Sequence, residues 1–184
     1  MKNSGGWEIS RRYFVMNGFD GILTVLGITL SSYFLSISNP TVILATGFSA
    51  SIAIGVSGFW IAFLTEEAEQ KRTIDKLEEQ MLVDLEGSVL TEASKVASIV
   101  NSFIDGFSPF FFGALSLSAF ILVNLDFMSM DTGYLISFIS SGILLFILGL
   151  FLGRISHQSL IIMGMKTTMA GIFVAILILL TGIE

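Results

Sequence analysis

The sequence predicts an all-α integral membrane protein of five transmembrane helices, N-terminus inside and C-terminus outside, with an amphipathic acidic cytoplasmic helical segment between helices two and three. Three observations carry that expectation. Hydrophobic residues make up 53% of the 184 and charged residues only 13%, at a mean hydropathy of +0.85, whereas a soluble domain carries about a quarter charged residues. Five apolar stretches reach the roughly 20 residues that a helix needs to cross about 30 Å of hydrocarbon. The basic residues gather on one side of those stretches.

Taken in order, Met1 to Ser10 is short and polar, with no cleavage-site pattern after a brief apolar core, and reads as a mature tail rather than a signal peptide. The spans run from Tyr13 to Ile37, Thr41 to Thr65, Ile99 to Val123, Thr132 to Leu152 and Ser159 to Gly182, as one membrane domain over 1–184. Asn39-Pro40 divides the first two: Asn39 suits an N-cap and Pro40 the first helical turn, which predicts a tight hairpin. Asn124 to Asp131 turns the third span into the fourth, and Gly153 to Gln158 turns the fourth into the fifth.

Orientation follows from the enrichment of Lys and Arg in cytoplasmic loops near spans. Lys2, Arg11 and Arg12 precede the first span; Lys71, Arg72, Lys76 and Lys95 lie between the second and third; Arg154 flanks the fourth and Lys166 falls early in the fifth. With the N-terminus inside, all nine lie at or near the cytoplasmic side, and the opposite loops carry only Asp126 and Asp131, with Glu184 ending the chain outside. In a prokaryote the membrane would be the plasma membrane.

The one sizeable polar segment, 66–98, holds nine acidic and four basic residues. Within it Ile74, Leu77, Met81 and Leu85 recur at helical spacing and predict an apolar stripe on a charged helix. Gly87-Ser88 is expected to break that helix before a second piece enters the third span. Small residues at four-residue spacing, Gly47, Ser51 and Gly55 on the second span, Gly149 and Gly153 on the fourth, and Gly171 with Ala175 on the fifth, allow close helix contact in a bundle or a dimer.

Chemistry is confined to a few residues. Asp20, in Asn17-Gly18-Phe19-Asp20-Gly21, is the only charged side chain between Tyr13 and Ile37. A charge at that depth costs several kcal/mol unless it is paired, neutralised or facing water, so it reads as functional. The third span carries a second carboxylate in Ile104-Asp105-Gly106-Phe107-Ser108-Pro109. Both spans would enter from the cytoplasm with Asp-Gly six to eight residues in, about 10 Å deep at 1.5 Å per residue. Pro109 has no N–H, which frees the carbonyl of Asp105 four residues earlier, and freed carbonyls at membrane depth are tolerated where they line a cavity or bind an ion. Two carboxylates and a carbonyl suit a hard or borderline divalent cation exchanging with protons. The bland alternative keeps both carboxyls neutral, each bonded to a neighbouring Ser, Thr or backbone group. Lys166 reads as a snorkelling or pairing cation, His157 as a surface residue, and Met163, Met165 and Met169 as gap-filling rather than as thioether ligands.

There is no Cys, no nucleophile paired with a base, no zinc-protease arrangement and no phosphate loop, so the chain is read as a transporter and not as an enzyme, with no tightly bound cofactor. A net charge of -6 concentrated in one segment argues against nucleic acid.

Arg12 followed by Gly18-Phe19-Asp20-Gly21-Ile22-Leu23-Thr24-Val25-Leu26-Gly27 resembles the first-span signature of the vacuolar iron transporter family, here as a short, prokaryotic-type member. The resemblance implies a homodimer that moves ferrous iron, or manganese, out of the cytosol against protons, with Asp20 in the path. Members of that family carry a Met and then a Glu on the second span, where this chain has Gly58 and Ala62. Asp105 is a candidate replacement. Plant members collect metal on paired cytoplasmic Glu at three-residue spacing; Glu66 with Glu69 and Asp75 with Glu78 resemble that pattern, beside Glu67, Glu79 and Met81. The expected metal-binding residues are therefore Asp20, Asp105, Glu66, Glu67, Glu69, Asp75, Glu78, Glu79 and Met81. The competing expectation is a non-transporting scaffold or metal sensor that uses only the acidic segment.

Overall fold

Five α-helices follow one another in the computed structural model, which describes residues 4–82 and 88–181: α1 (Ser4–Phe34), α2 (Pro40–Met81), α3 (Val89–Asn124), α4 (Met130–Ile155) and α5 (Leu160–Leu180). Among the described residues there is no strand, and all five helices are long and apolar enough to cross a membrane.

The hairpin between α1 and α2 forms as the sequence predicts. Asn39 accepts from the Thr41 N–H at 2.9 Å and Pro40 opens α2. Ser88 and Ser129 cap α3 and α4 in the same way. Three helix ends share one closing device. Ser36, Asp126 and His157 adopt left-handed backbone conformations, and each lets the next N–H reach back five residues: Ile37 to Ser32, Phe127 to Leu122 and Gln158 to Gly153, all at 3.0 Å. This closure ends α1 at Phe34, three residues short of the expected Ile37.

A larger difference concerns the acidic segment. α2 runs unbroken from Pro40 to Met81, so the second span and the charged stretch after it are one helix of 42 residues rather than a span followed by a separate element. No Gly or Pro occurs between Gly58 and Gly87, and the Glu, Lys, Gln, Leu and Met that fill this stretch are strong helix formers. α3 likewise starts at Val89, ten residues ahead of the expected span, and is continuous. Ile74 and Leu77 are half-buried and Met81 is exposed; Leu85, Gly87 and Gly182 lie outside the described residues.

α3 is the central helix, packing most extensively on α2 and then on α1. Pairs of contacting residues fix the directions. Along α2 and α3, Gly47 faces Leu117, Ser51 faces Gly113, Gly55 faces Gly106 and Gly58 faces Asp105, so these helices are antiparallel. Along α1 and α3, Ser10 bonds Asn101, and Gly21 lies against the Pro109 backbone, so these are parallel. The small-residue rows thus serve packing within the bundle: a Cβ on Gly55 would lie 2.5 Å from the Gly106 carbonyl oxygen, and one on Gly149 would lie 2.6 Å from Gly164 Cα on α5. Two apolar clusters fill the centre, one around Val25, Ile43, Leu117, Phe120 and Tyr134, the other around Ile22, Phe112, Leu145 and Leu148. The outer surface is apolar, with Ile52, Trp60, Ile147 and Phe173 each about half or more exposed. That distribution matches a bilayer solvent rather than water.

Candidate functional site

Polar groups line the seam where α1, α2 and α3 meet, in the half of the bundle nearest the start of α1. Ser10 donates to Asn101 Oδ1, the Tyr13 hydroxyl donates to Glu66 Oε1 at 3.0 Å, and Ser108 donates to the Phe14 carbonyl at 2.6 Å. On α1, Tyr13, Asn17 and Asp20 follow at four- and three-residue steps and so share one face.

Asp105 is at the centre of the seam and only 4% exposed. Its Oδ1 accepts a hydrogen bond from the Asn17 amide on α1. Its Oδ2 lies over Gly58 on α2, 3.0 Å from where a Cβ on that glycine would stand, and its main-chain carbonyl lies 3.7 Å from the same point. The glycine at 58 thus makes room for a carboxylate, and the carbonyl that Pro109 deprives of a helical donor faces the same gap. Pro109 is itself fully buried, packed on Gly21 without an intervening side chain.

Asp20 lies three residues beyond Asn17, which is about 4.5 Å of helix rise, and the Asn17–Asp105 and Gly21–Pro109 pairs bracket it in register with α3. Both carboxylates therefore lie at one depth to within a helical turn. Their surroundings differ. Asp105 is enclosed, whereas Asp20 is exposed on the outer surface of the single chain, in line with Met16, 54% exposed, one turn earlier.

The acidic residues beyond the seam divide. Glu66, grouped by its sequence with the cytoplasmic carboxylates, is buried and turned into the bundle against Tyr13. Glu67, Glu69, Asp75, Glu79 and Met81 are exposed and Glu78 is half-buried, with Glu69 3.9 Å from Arg72. Among the described residues no three His, Cys, Asp or Glu side chains converge on one point. A cation held by one chain would accordingly need non-carboxylate oxygens, and the Asp105 carbonyl beside Gly58 is one that the seam supplies.

Sequence reasoning singles out the two aspartates and Pro109 but passes over Asn17, Tyr13 and Asn101. A signal for two of them exists, since Asn17 precedes Asp20 by three residues and Asn101 precedes Asp105 by four, each on the aspartate's own helical face.

No family model matches the chain, and no solved structure matches it. It is 30% identical over 178 residues to an uncharacterized protein, MJ0645, of Methanocaldococcus jannaschii, with 95% of this chain and 90% of that protein covered.

Proposed function

This chain belongs to the family of that Methanocaldococcus jannaschii protein, and we propose that it is a dimeric divalent-cation transporter of the vacuolar iron transporter type, exporting ferrous iron or manganese from the cytosol in exchange for protons. The observation that carries this reading is the meeting of Asp105, Asn17 and Gly58 within one helical turn of Asp20. A buried carboxylate, an exposed carboxylate and a carbonyl without its helical donor make a hard-to-borderline donor set, and the Met16 thioether beside Asp20 adds a softer one.

Cation binding displaces protons from carboxyls, so loading from one side and reprotonation from the other couples the two fluxes. Asp105 takes the place of the second-span Met and Glu of the vacuolar iron transporter pattern, because Gly58 and Ala62 leave space rather than ligands. The exposure of Asp20 on an apolar helix supports a homodimer formed along α1: a lipid-facing carboxylate is costly, and a second copy would cover it and double the oxygen donors. Nine basic residues on one side of the spans support the N-in, C-out orientation in the lipid bilayer. Of the acidic residues expected to collect metal, Glu66 instead closes the inner end of the seam with Tyr13, and Glu67, Glu69, Asp75, Glu78 and Glu79 act at most as a diffuse attractive surface.

Uptake of Mn2+ into proteoliposomes containing a pH reporter tests the proposal. Wild-type protein is expected to couple metal flux to an opposite proton flux, and Asp20→Asn is expected to abolish both. Transport by Asp20→Asn at the wild-type rate sinks the mechanism. A chain that binds metal only through 66–92 and moves none is the scaffold or sensor.

A further inference from the structure

Where α1 passes the turn between α4 and α5, an open cavity of about 930 Å³ holds Arg11, Arg12, Arg154 and His157 along its lining, with no carboxylate among the described lining residues. Arg11 and Arg12 on α1 and Arg154 on α4 border the cavity, the Arg12 guanidinium also standing 5.5 Å from the Tyr13 ring centroid; basic groups from two helices make an anion-attracting surface, and guanidinium forks match the paired oxygens of a phosphate. One turn deeper the same cavity is walled by Val15, Met16, Phe151 and Leu152. The basic residues lie where the apolar stretches of α1 and α4 end, and the apolar wall lies within those stretches. The polarity of the cavity therefore changes along the membrane normal as it does in a phospholipid: anion at the headgroup level, hydrocarbon below. A free phosphate would engage only the upper half.

We propose that this cavity binds one anionic phospholipid, its phosphate on Arg11, Arg12 and Arg154 and an acyl chain along Val15 and Phe151. The lipid bridges α1 to the end of α4, two helices whose mutual contact is slight compared with that of α1 and α3. The cavity shares Met16 with the surface beside Asp20, but Asn17, Asp20, Gly58 and Asp105 are not among its lining residues, and it stands whether or not the chain carries metal.

The test is native mass spectrometry of the full chain released from detergent with equimolar phosphatidylglycerol and phosphatidylcholine, with thermal melting in parallel. The expected result is retention of one phosphatidylglycerol, a raised melting temperature with that lipid alone, and about fivefold weaker retention in Arg154→Gln, from the loss of one cation beside an anionic headgroup. Arg154 is exposed in the last turn of α4, so this variant is expected to fold; His157→Gln provides a second, and Lys71→Gln/Lys76→Gln, remote from the cavity in sequence, is expected to retain lipid as wild type does. Equal retention of the two lipids, wild-type retention by both Arg154→Gln and His157→Gln, or an equal loss in the Lys71/Lys76 variant overturns the proposal. So does displacement by millimolar inorganic phosphate with no lipid effect on melting, which would mark an ion site.

Discussion

Replacing Gly58 by alanine probes the seam through one methyl group. The added Cβ would stand 3.0 Å from Asp105 Oδ2, where ordinary contact begins at 3.4 Å, so the carboxylate must withdraw by at least 0.4 Å (3.4 − 3.0). It cannot simply swing away, because Oδ1 is held by Asn17 and the side chain is buried. Overpacking of this kind costs about 1–3 kcal/mol, against which alanine returns up to about 1 kcal/mol of helix propensity. Gly142 on α4 is the matched control, since a Cβ there meets nothing within 4 Å; Gly142→Ala is expected to be neutral or stabilising by less than about 1 kcal/mol. The assay is a double-mutant cycle by unfolding in mixed micelles, with Gly58→Ala measured in the wild-type and Asp105→Ala backgrounds. Removing the carboxylate should relieve the clash, leaving a coupling energy of about 1–3 kcal/mol. An equal effect of Gly58→Ala in both backgrounds, or no difference from Gly142→Ala, refutes the placement of Asp105 over Gly58.

Further outcomes follow from the same contacts. Asp20→Asn removes a carboxylate from the surface of an apolar helix, where a charge is costly, and is expected to leave the fold intact while eliminating metal-driven proton flux in proteoliposomes. Tyr13→Phe strips the hydroxyl from buried Glu66 and is expected to destabilise by about 1–3 kcal/mol, read as a melting temperature lower by roughly 2–12 °C. Gly21→Ala drives a Cβ to within 2.7 Å of Pro109 Cα; since both partners are backbone, helix α1 must shift, and both stability and transport are expected to fall. The chain has no Cys, so single cysteines introduced at Glu69 and Asp126 report sidedness: an impermeant maleimide applied to right-side-out vesicles is expected to label the Asp126 position and spare the Glu69 position.

The helices and their turns are legible in the sequence because hydropathy and cap chemistry coincide there, as at Asn39-Pro40 and at Ser129 ahead of α4. They separate at Glu66. Hydropathy changes sharply at that residue and suggests an element boundary, but nothing breaks the helix before Met81, so backbone propensity carries α2 through. Glu66 itself illustrates the second gap. Its neighbours Glu67 and Glu69 are exposed, and nothing local distinguishes it from them; only the approach of Tyr13, 53 residues away in the chain, turns it inward. Asp105 is more legible, because Pro109 and the parallel entry of α1 and α3 place it near Asp20. Its partner Asn17 is an ordinary polar residue in sequence until the register of α1 on α3 brings the amide to the carboxylate. Gly58 reads as a lost ligand, and in the fold it is the space beside which the Asp105 carboxylate on another helix lies.

The central claim is that Asp20 and Asp105 hold the cation. Anomalous diffraction from crystals soaked in manganese addresses it directly. The account predicts a peak in contact with both the Asp20 and the Asp105 carboxylates, absent from Asp105→Asn crystals soaked in the same way. Manganese bound only along 67–79, or at neither place, would contradict it.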